Sequence, residues 1–535
     1  MRLVSVEEMK TIEKSANEAG ISNAQLMDNA GKGIAEFILD QFSGNGYSKV
    51  LGIVGKGNNG GDTLLALTYL LQAGWDASAV LINSRSDDPL MKAFVKNDGR
   101  IIHFTDKNFE ANVEEALTPD TILLDGLLGT GIQLPLKADY SQLLSTIDDH
   151  CSLDQVIIAV DCPSGVDCNT GEMADEILFC DMTICLEAVK QGLLKEPAFE
   201  ACGEIISIPL GLPEDLEQSG IEKIVVDDAW VEEHYLPRSE FGHKGTFGKV
   251  MVIGGSTNYF GAPVLAGLAA YRAGCGLVNL AVPHAVTMVM AGKVPEFTWL
   301  SLEDEDGVIA ESAAELILKK VSDYNCLALG PGIGLEETTA HFLEHLFFQP
   351  DRNGRRKVGF LEGENHNALP VELPDTVIDA DALRWLAKQD KWYEKLQTRM
   401  VLTPHPGEMA ALTGIPIKEI QKDRQTVASH FAKTWHQVVV LKGALTVIAA
   451  PDGRIAVIPI ASSALAKAGS GDVLTGIIAS FIAQGQSLYE AAVLAAWFHA
   501  NAGLEATHRI GSEASVLSSD IIDSIPDVFK AMTEE

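Results

Sequence analysis

Basic residues are scarce in this chain: 40 Lys and Arg stand against 74 Asp and Glu over 535 residues, a formal net charge of -34. Such an imbalance repels nucleic-acid backbones and anionic membranes over most of the surface, so neither is expected as a partner. Cysteine is sparse as well, eight in all, and the closest pair, Cys180 and Cys185, lacks the two-residue spacing of a zinc knuckle or redox pair. Reduced core thiols are the expected reading, and metal held through cysteine is disfavoured. No run of about 18 apolar residues occurs, so no segment is expected to span a bilayer. The opening MRLVSVEEMK lacks the basic-then-apolar layout of a secretory signal, and a cytosolic (cytoplasmic) protein is expected. The pattern G-x-x-x-x-G-K-[ST] is missing throughout, which excludes P-loop phosphate chemistry.

What is present is α/β grammar. The chain is too long for one hydrophobic core, so two or three domains are expected. From Lys49, KVLGIVGKGNNGGDTLLALTYLLQAGWDASAVLI reads as strand, glycine turn, helix and strand. TILLDGLLGTG and DQVIIAVDCPSGVD repeat the apolar run that ends in an acid and a glycine turn, which fits a parallel, Rossmann-like three-layer domain with its ligands at the carboxyl ends of the strands. Around residues 208 to 220, IPLGLPEDLEQSG breaks the pattern and marks a domain edge. The grammar restarts at Gly248 with GKVMVIGGSTNYFGAPVLAGLAAYRAGCGLVNLAVP. Domains of 1–220 and 221–535 are therefore expected, of different folds, the second carrying a polar surface excursion at 349–374.

The loop GKGNNGGD, residues 55 to 62, spells G-x-G-x-x-G at Gly55, Gly57 and Gly60. A dinucleotide dehydrogenase would place an acid about 20 positions further on; Asn83 and Arg85 stand there instead. Asp62 at the helix mouth would repel a pyrophosphate, the alternative being that it is only an N-cap. With DGLLGTG at 125–131 and DCPSGVD at 161–167, this loop sets Asn59, Asp125 and Ser164 at strand ends in one crevice, where their oxygens suit a hard cation. These motifs, with LMDNAGKGIAEFI before them, resemble the NAD(P)H-hydrate epimerase domain. The resemblance implies potassium at Asn59, Asp125 and Ser164. It also implies a pocket for the hydrated nicotinamide lined by Asn58, Asn59, Gly60, Gly61 and Asp62, by the turn Gly129, Thr130, Gly131, Ile132, Gln133, Leu134 and Pro135, and by Tyr140 and Asp161. Asp161 is the expected proton-transfer residue, assisting hydroxide to leave C6 and water to return on the other face. Thr63 stands where the family usually has glycine, and MDNAG replaces the commoner Met-Glu form.

A second glycine loop opens AKAGSGDVLTGIIASFIAQG at Ala466, with Gly469, Gly471 and Asp472 at a helix mouth; alone, Asp472 could be an N-cap. Preceded in order by HKGTFGKVMVIGGS, GAPVLAGLAAYRAGCGLV, LGPGIG, VIDADALRWL, TPHPGEM and LKGALTVI, it is similar over most of 237–525 to the ADP-dependent NAD(P)H-hydrate dehydratases, which are ribokinase-like. That likeness implies hydrate contacts at Ala262, Gly332, His405 and Asp472, and nucleotide contacts at Lys442, Gly443, Ala444, Leu445, Thr446 and Gly471. Asp472 would be the general base that activates the C6 hydroxyl for phosphorylation by ADP, and Glu408 would orient hydrated magnesium. The family's Asn-Pro-Gly element is replaced by ASSALAKAGSGD, with Ala468 where glycine is common. The expected function is thus bifunctional repair of NADH hydrate or NADPH hydrate, by a homo-oligomer. A small-molecule kinase of the hydroxyethylthiazole or sugar type, releasing a stable phosphoester, is the alternative; a non-enzymatic scaffold role for the N-terminal half fits the acidic balance and the intact NNGGD less well. The choice between ADP and ATP stays open.

Overall fold

Strands that read as unbroken apolar runs need cover on both faces, and the computed structural model supplies it in each half of the chain. It describes residues 1–213, 222–349 and 371–534 and divides into two compact units, Met1–Val225 and Val226–Glu535. The expected edge at 220 and most of the expected excursion at 349–374 lie outside the described residues.

The first unit is built on β1 (Lys49–Val54), α1 (Asn58–Gln72), β2 (Asp76–Leu81), β3 (Arg100–His103), β4 (Thr121–Gly126), α2 (Ala138–His150), β5 (Ile157–Val160), β6 (Met182–Leu186) and β7 (Glu204–Ile208). Its sheet runs β3-β2-β1-β4-β5-β6-β7, every pair parallel. This is the doubly wound order, whose direction reverses between β1 and β4 and opens a crevice there. Alternation sorts the two cores. Val50 and Val54 join the cluster under the helix Asn23–Phe42, while Leu51 and Ile53 face Phe109, Val113, Leu143 and Ile147 on the other side.

The glycine loop is shorter than its sequence suggests. Helix α1 already begins at Asn58 behind Gly57, so NNGGD forms its first turn. Asp62 is therefore neither an N-cap nor at the mouth; it sits one turn inside the helix, buried. The glycines serve close approach instead. A Cβ on Gly55 would lie 1.8 Å from the Leu127 carbonyl oxygen, and one on Gly60 would lie 2.1 Å from that of Gly55. The segments leaving β1 and β4 thus touch backbone to backbone.

The second unit contains β8 (Lys249–Ile253), α3 (Ala262–Arg272), β9 (Leu277–Pro283), β10 (Thr298–Leu302), β11 (Cys326–Leu329), β12 (Asp375–Ile378), β13 (Met400–Leu402), α4 (Pro406–Thr413), β14 (Val438–Leu441), β15 (Val447–Ala449), β16 (Ile455–Val457), α5 (Ser470–Ala483), α6 (Leu488–Ile510) and α7 (Ser518–Glu534). Its strands run β16-β15-β14-β13-β12-β11-β8-β9-β10, parallel except for the antiparallel β14-β15-β16 edge. The order reverses at β8. Helix α5, buried along nearly its whole length, packs between α3 and α6 and points its N-terminus toward the strand ends. All eight cysteines are free thiols, and seven are buried. Among the described residues no helix is long and apolar enough to cross a membrane.

Gly55→Ala is expected to destabilise the first unit by about 1–3 kcal/mol through overpacking against Leu127, read as a lower urea midpoint. An unchanged midpoint would show that the two segments can part without cost.

Candidate active sites

In the first unit the peptide of Leu128, just beyond β4, ties three of the expected residues together. Asn59 Nδ2 donates to the Leu128 carbonyl at 2.7 Å, and the Leu128 N–H donates to Ser164 Oγ at 2.8 Å. Ser164 in turn donates to Asp125, through its N–H at 2.7 Å and its hydroxyl at 2.5 Å. Asp125 is fully buried, and desolvation pushes its carboxyl above the usual range against the opposing pull of the Ser164 and Leu127 hydrogen bonds. No ion pair of Asp125 is present among the described residues. Asn59 Oδ1 is buried without a hydrogen-bond partner. A buried carboxylate without a counter-charge beside an orphaned amide oxygen and a hydroxyl is a donor set that fits a hard cation.

Thr63, the departure from the family pattern, is absorbed locally. Its hydroxyl donates to the Asn59 carbonyl at 2.8 Å, and its side chain fills the space left open by Gly126, where a Cβ would lie 1.8 Å from Thr63 Oγ1. Gly129 lies against Asn59, with room of 3.3 Å between a Cβ there and Asn59 Cβ. Thr130, Gly131, Ile132, Gln133, Leu134 and Pro135 form the partly exposed turn into α2, with a cis Leu134–Pro135 peptide. Tyr140 packs against the core cluster beneath that turn. Asn58 is exposed at the start of α1, and Gly61 is buried against Met27.

Asp161 follows β5 with a left-handed backbone, φ 65°. Its Oδ1 accepts from the Leu186 N–H at 3.0 Å and is paired with the ammonium of Lys190. Lys190 is 1% exposed, and its pKa is raised because Asp161, then Cys185, outweigh burial. Asp62 shares this environment. Burial first, then the Asp161 and Glu13 carboxyls, push it well above the usual carboxylate range, with Lys190 opposing. Asp62 consequently keeps its proton where an exposed aspartate has lost it. Lys190 and Glu13 carry no sequence motif used above; the only signal for Lys190 is a lone cation in the apolar run TICLEAVKQGLL.

In the second unit the expected residues converge at the carboxyl ends of β11–β14. Gly332, with φ 64°, presents bare backbone to Ala262 at the start of α3; a Cβ would lie 3.0 Å from that of Ala262 and 2.6 Å from Tyr259 Cβ. His405 and Glu408 form a reciprocal cap on α4: His405 Nδ1 accepts from the Gly407 N–H at 2.9 Å and Glu408 Oε2 accepts from the His405 N–H at 2.9 Å. Lys442 follows β14 and pairs with Asp379 at 2.7 Å and with Glu408 at 3.9 Å. Asp379 also accepts from Thr403 Oγ1 at 2.7 Å. Gly443, Ala444, Leu445 and Thr446 complete a turn held from below by Arg424, whose guanidinium donates to the Leu441 carbonyl at 2.7 Å and to that of Ala444. The backbone at Gly471 passes Lys442, since a Cβ there would be 3.2 Å from Nζ.

Asp472 is the third residue of α5, not its N-cap, which is Gly469. Burial, then Asp379, raise its pKa to about 8, with Lys442 opposing. Burial likewise raises Glu408 to about 7, and burial with Lys442 lowers His405. Asp379, within VIDADALRWL, is a site residue the sequence motifs do not single out, although it obeys the same acid-at-strand-end rule as Asp125. Arg424 has no sequence signal. Where the Asn-Pro-Gly element is missing, Ser462 and Ser463 bind the Glu513 carboxylate, and Ala468 is exposed, so its methyl meets no obstruction.

Two family profiles match this chain: "NAD(P)H-hydrate dehydratase" over residues 250–527 and "YjeF-related protein N-terminus" over 23–192. A bifunctional NAD(P)H-hydrate repair enzyme from Moorella thermoacetica is 33% identical over the whole chain and 98% of its own length. The chain belongs to this family. The like-named enzyme of Thermofilum pendens is 31% identical, covering 100% of this chain and 97% of its own. Among solved structures, the ADP/ATP-dependent NAD(P)H-hydrate dehydratase of Bacillus subtilis, co-crystallised with ATP and Mg2+, is 30% identical over 57% of this chain and 97% of its own, with a TM-score of 0.46.

The Lys190–Asp161 pair generates a stability prediction. Lys190→Met strands the Asp161 carboxyl and is expected to cost about 3–5 kcal/mol in urea unfolding of the first unit, with much of the loss recovered in Lys190→Met/Asp161→Asn. A double variant no more stable than the single one would show that packing of the lysine stem, not the pairing, is what matters.

Proposed function

We propose that the two units perform consecutive repair steps: the first epimerises the R and S forms of NAD(P)H hydrate, and the second dehydrates the S form at the expense of ADP. The observation that carries the reading is Asp472: a carboxyl poised near neutrality, at the glycine-lined start of a buried helix, beside the Lys442–Asp379 pair.

In the second unit the substrate's C6 hydroxyl gives its proton to Asp472 as its oxygen attacks the terminal phosphorus of ADP, and AMP leaves. The amides of the Gly469–Gly471 turn receive the negative oxygens of the migrating group. Lys442 adds a fixed positive charge, and the Lys442–Thr446 turn holds the nucleotide. The nitrogen lone pair of the ring then expels phosphate from C6, and loss of a proton from C5 restores the dihydronicotinamide. Ala262, Gly332 and His405 hold the hydrate. Magnesium, when bound, offsets phosphate charge. Glu408, which lies beside His405 and Lys442 at the start of α4, is suited to orient its water shell.

In the first unit the C6 hydroxyl takes a proton from the Asp161 carboxyl and leaves as water, and a second water adds to the opposite face of the ring-stabilised cation and returns a proton to that carboxyl. Asp161 transfers the proton, with Lys190 and the Leu186 N–H fixing one oxygen so that the carboxyl keeps a single orientation. Potassium fits Asn59, Asp125 and Ser164, where it would compensate the buried carboxylate and supply the missing partner of Asn59 Oδ1. Asn58, Gly60, Gly61, Asp62, the Gly129–Pro135 turn and Tyr140 surround the ligand. A homo-oligomer, with the domain boundary in the sequence near residue 220, completes the proposal.

Mixing the chain with hydrated NADH, ADP and magnesium should return dihydronicotinamide absorbance; a persistent phosphoester instead would establish the kinase alternative. Asp472→Asn is expected to slow dehydration by about 10²- to 10⁴-fold and leave epimerisation intact. Because the base must be unprotonated, kcat/KM of the wild type should climb with pH to a plateau above about 8. The stability effect has the opposite sense. The native state holds a proton that the unfolded chain releases, so the wild type loses stability as pH rises from about 4 to 8, and Asp472→Asn should gain Tm relative to it over that window. Asp125→Ala should abolish any potassium dependence of epimerisation of pure R hydrate, assayed with excess independent dehydratase; a folded variant with full activity would remove the cation from the account.

A further inference from the structure

The dehydratase turn has two bare positions. Gly469 is left-handed at φ 94° and Gly471 lacks a side chain, so between them only Ser470 can anchor the turn through a side chain. Upstream, Ser518 Oγ at the start of α7 donates to the Ala468 carbonyl at 2.9 Å. Within the turn, Ser470 Oγ lies 2.9 Å from His499 Nε2 on α6, with Ser470 4% and His499 7% exposed. Ser470 therefore turns its hydroxyl toward α6 in the interior of the unit.

We propose that His499 is a positioning residue for phosphoryl transfer: it fixes Ser470 and, through it, the amides and the Asp472 carboxyl of the Gly469–Asp472 turn. The inference rests on the dehydratase reading of the second unit and adds a residue from a helix that carries no motif. A turn flanked by two glycines has many accessible backbone states, and the transfer uses one. The Ser470–His499 bond removes that freedom at the residue where three neighbours must point together. An imidazole suits the task because it is rigid and fills the space between α5 and α6. Burial, aided by Lys442, lowers its pKa to about 4, so it stays neutral and its bond to Ser470 is unchanged across physiological pH.

The test is a double-mutant cycle on the full chain. Ser470→Ala and His499→Leu are each expected to lower dehydratase kcat/KM on the order of tenfold, the effect of one lost hydrogen bond, and Ser470→Ala/His499→Leu should be no worse than either single variant. Epimerisation by the same preparations should stay at the wild-type rate, which reports an intact first unit. If His499→Leu fails to fold, Ser470→Ala with His499→Phe, a ring of similar shape without nitrogen, closes the same cycle. Independent losses that multiply to about a hundredfold, or single variants with wild-type kcat/KM and native urea midpoints, would overturn the positioning role. The wild-type product keeps the two failures apart: without restored absorbance the dehydratase reading falls and takes this one with it, whereas restored absorbance with multiplying losses removes His499 alone.

Discussion

Parallel strands all end at one edge of their sheet, and the chemistry of both units follows from what that edge collects. Each strand delivers its last carbonyl and first loop residues to the same side, so acids that end separate strands become neighbours. Asp161 meets Asp62 in the first unit, and Asp379 meets Glu408 and Asp472 in the second. Such a concentration of carboxyls is unfavourable unless something balances it. The two units use the same internal remedy, one lysine set against one carboxylate, Lys190 with Asp161 and Lys442 with Asp379. Each lysine neutralises one acid and leaves a second with a raised pKa, Asp62 in the first case and Asp472 in the second. Carboxyls held apart in this way can divide the roles of proton donor and acceptor.

Much of this was legible from residues alone, and the reasons are particular. Apolar runs ending in an acid and glycine located the carboxyl edge, because strand length and loop composition are local properties. Asn59, Asp125 and Ser164 were brought together by topology, since β1, β4 and β5 are adjacent in a doubly wound sheet. What stayed hidden depends on distance in sequence. Lys190 reaches Asp161 across 29 residues, Lys442 reaches Asp379 across 63, and Ser470 meets His499 through the packing of two helices. No period or motif encodes such pairings. The position of Asp62 was misjudged for another reason: a helix that begins immediately at Asn58 leaves no loop, and glycine-rich sequence disguised a helical turn.

Departures from the family pattern are handled by compensation close at hand. Thr63 is tolerated because Gly126 lacks a side chain opposite it. The missing Asn-Pro-Gly turn is replaced by two serines bound to Glu513, exchanging backbone rigidity for hydrogen bonds to a distant carboxylate.

That last arrangement bears on how the chain is made. The segment leading into the turn at 469–472 is tied down at Ser462 by Glu513, at Lys467 by the carbonyl of Ala514 and at Ala468 by Ser518, all supplied by later segments of the polypeptide. The whole first unit, and every strand of the second, therefore precede in the chain the residues that tie down the approach to this turn.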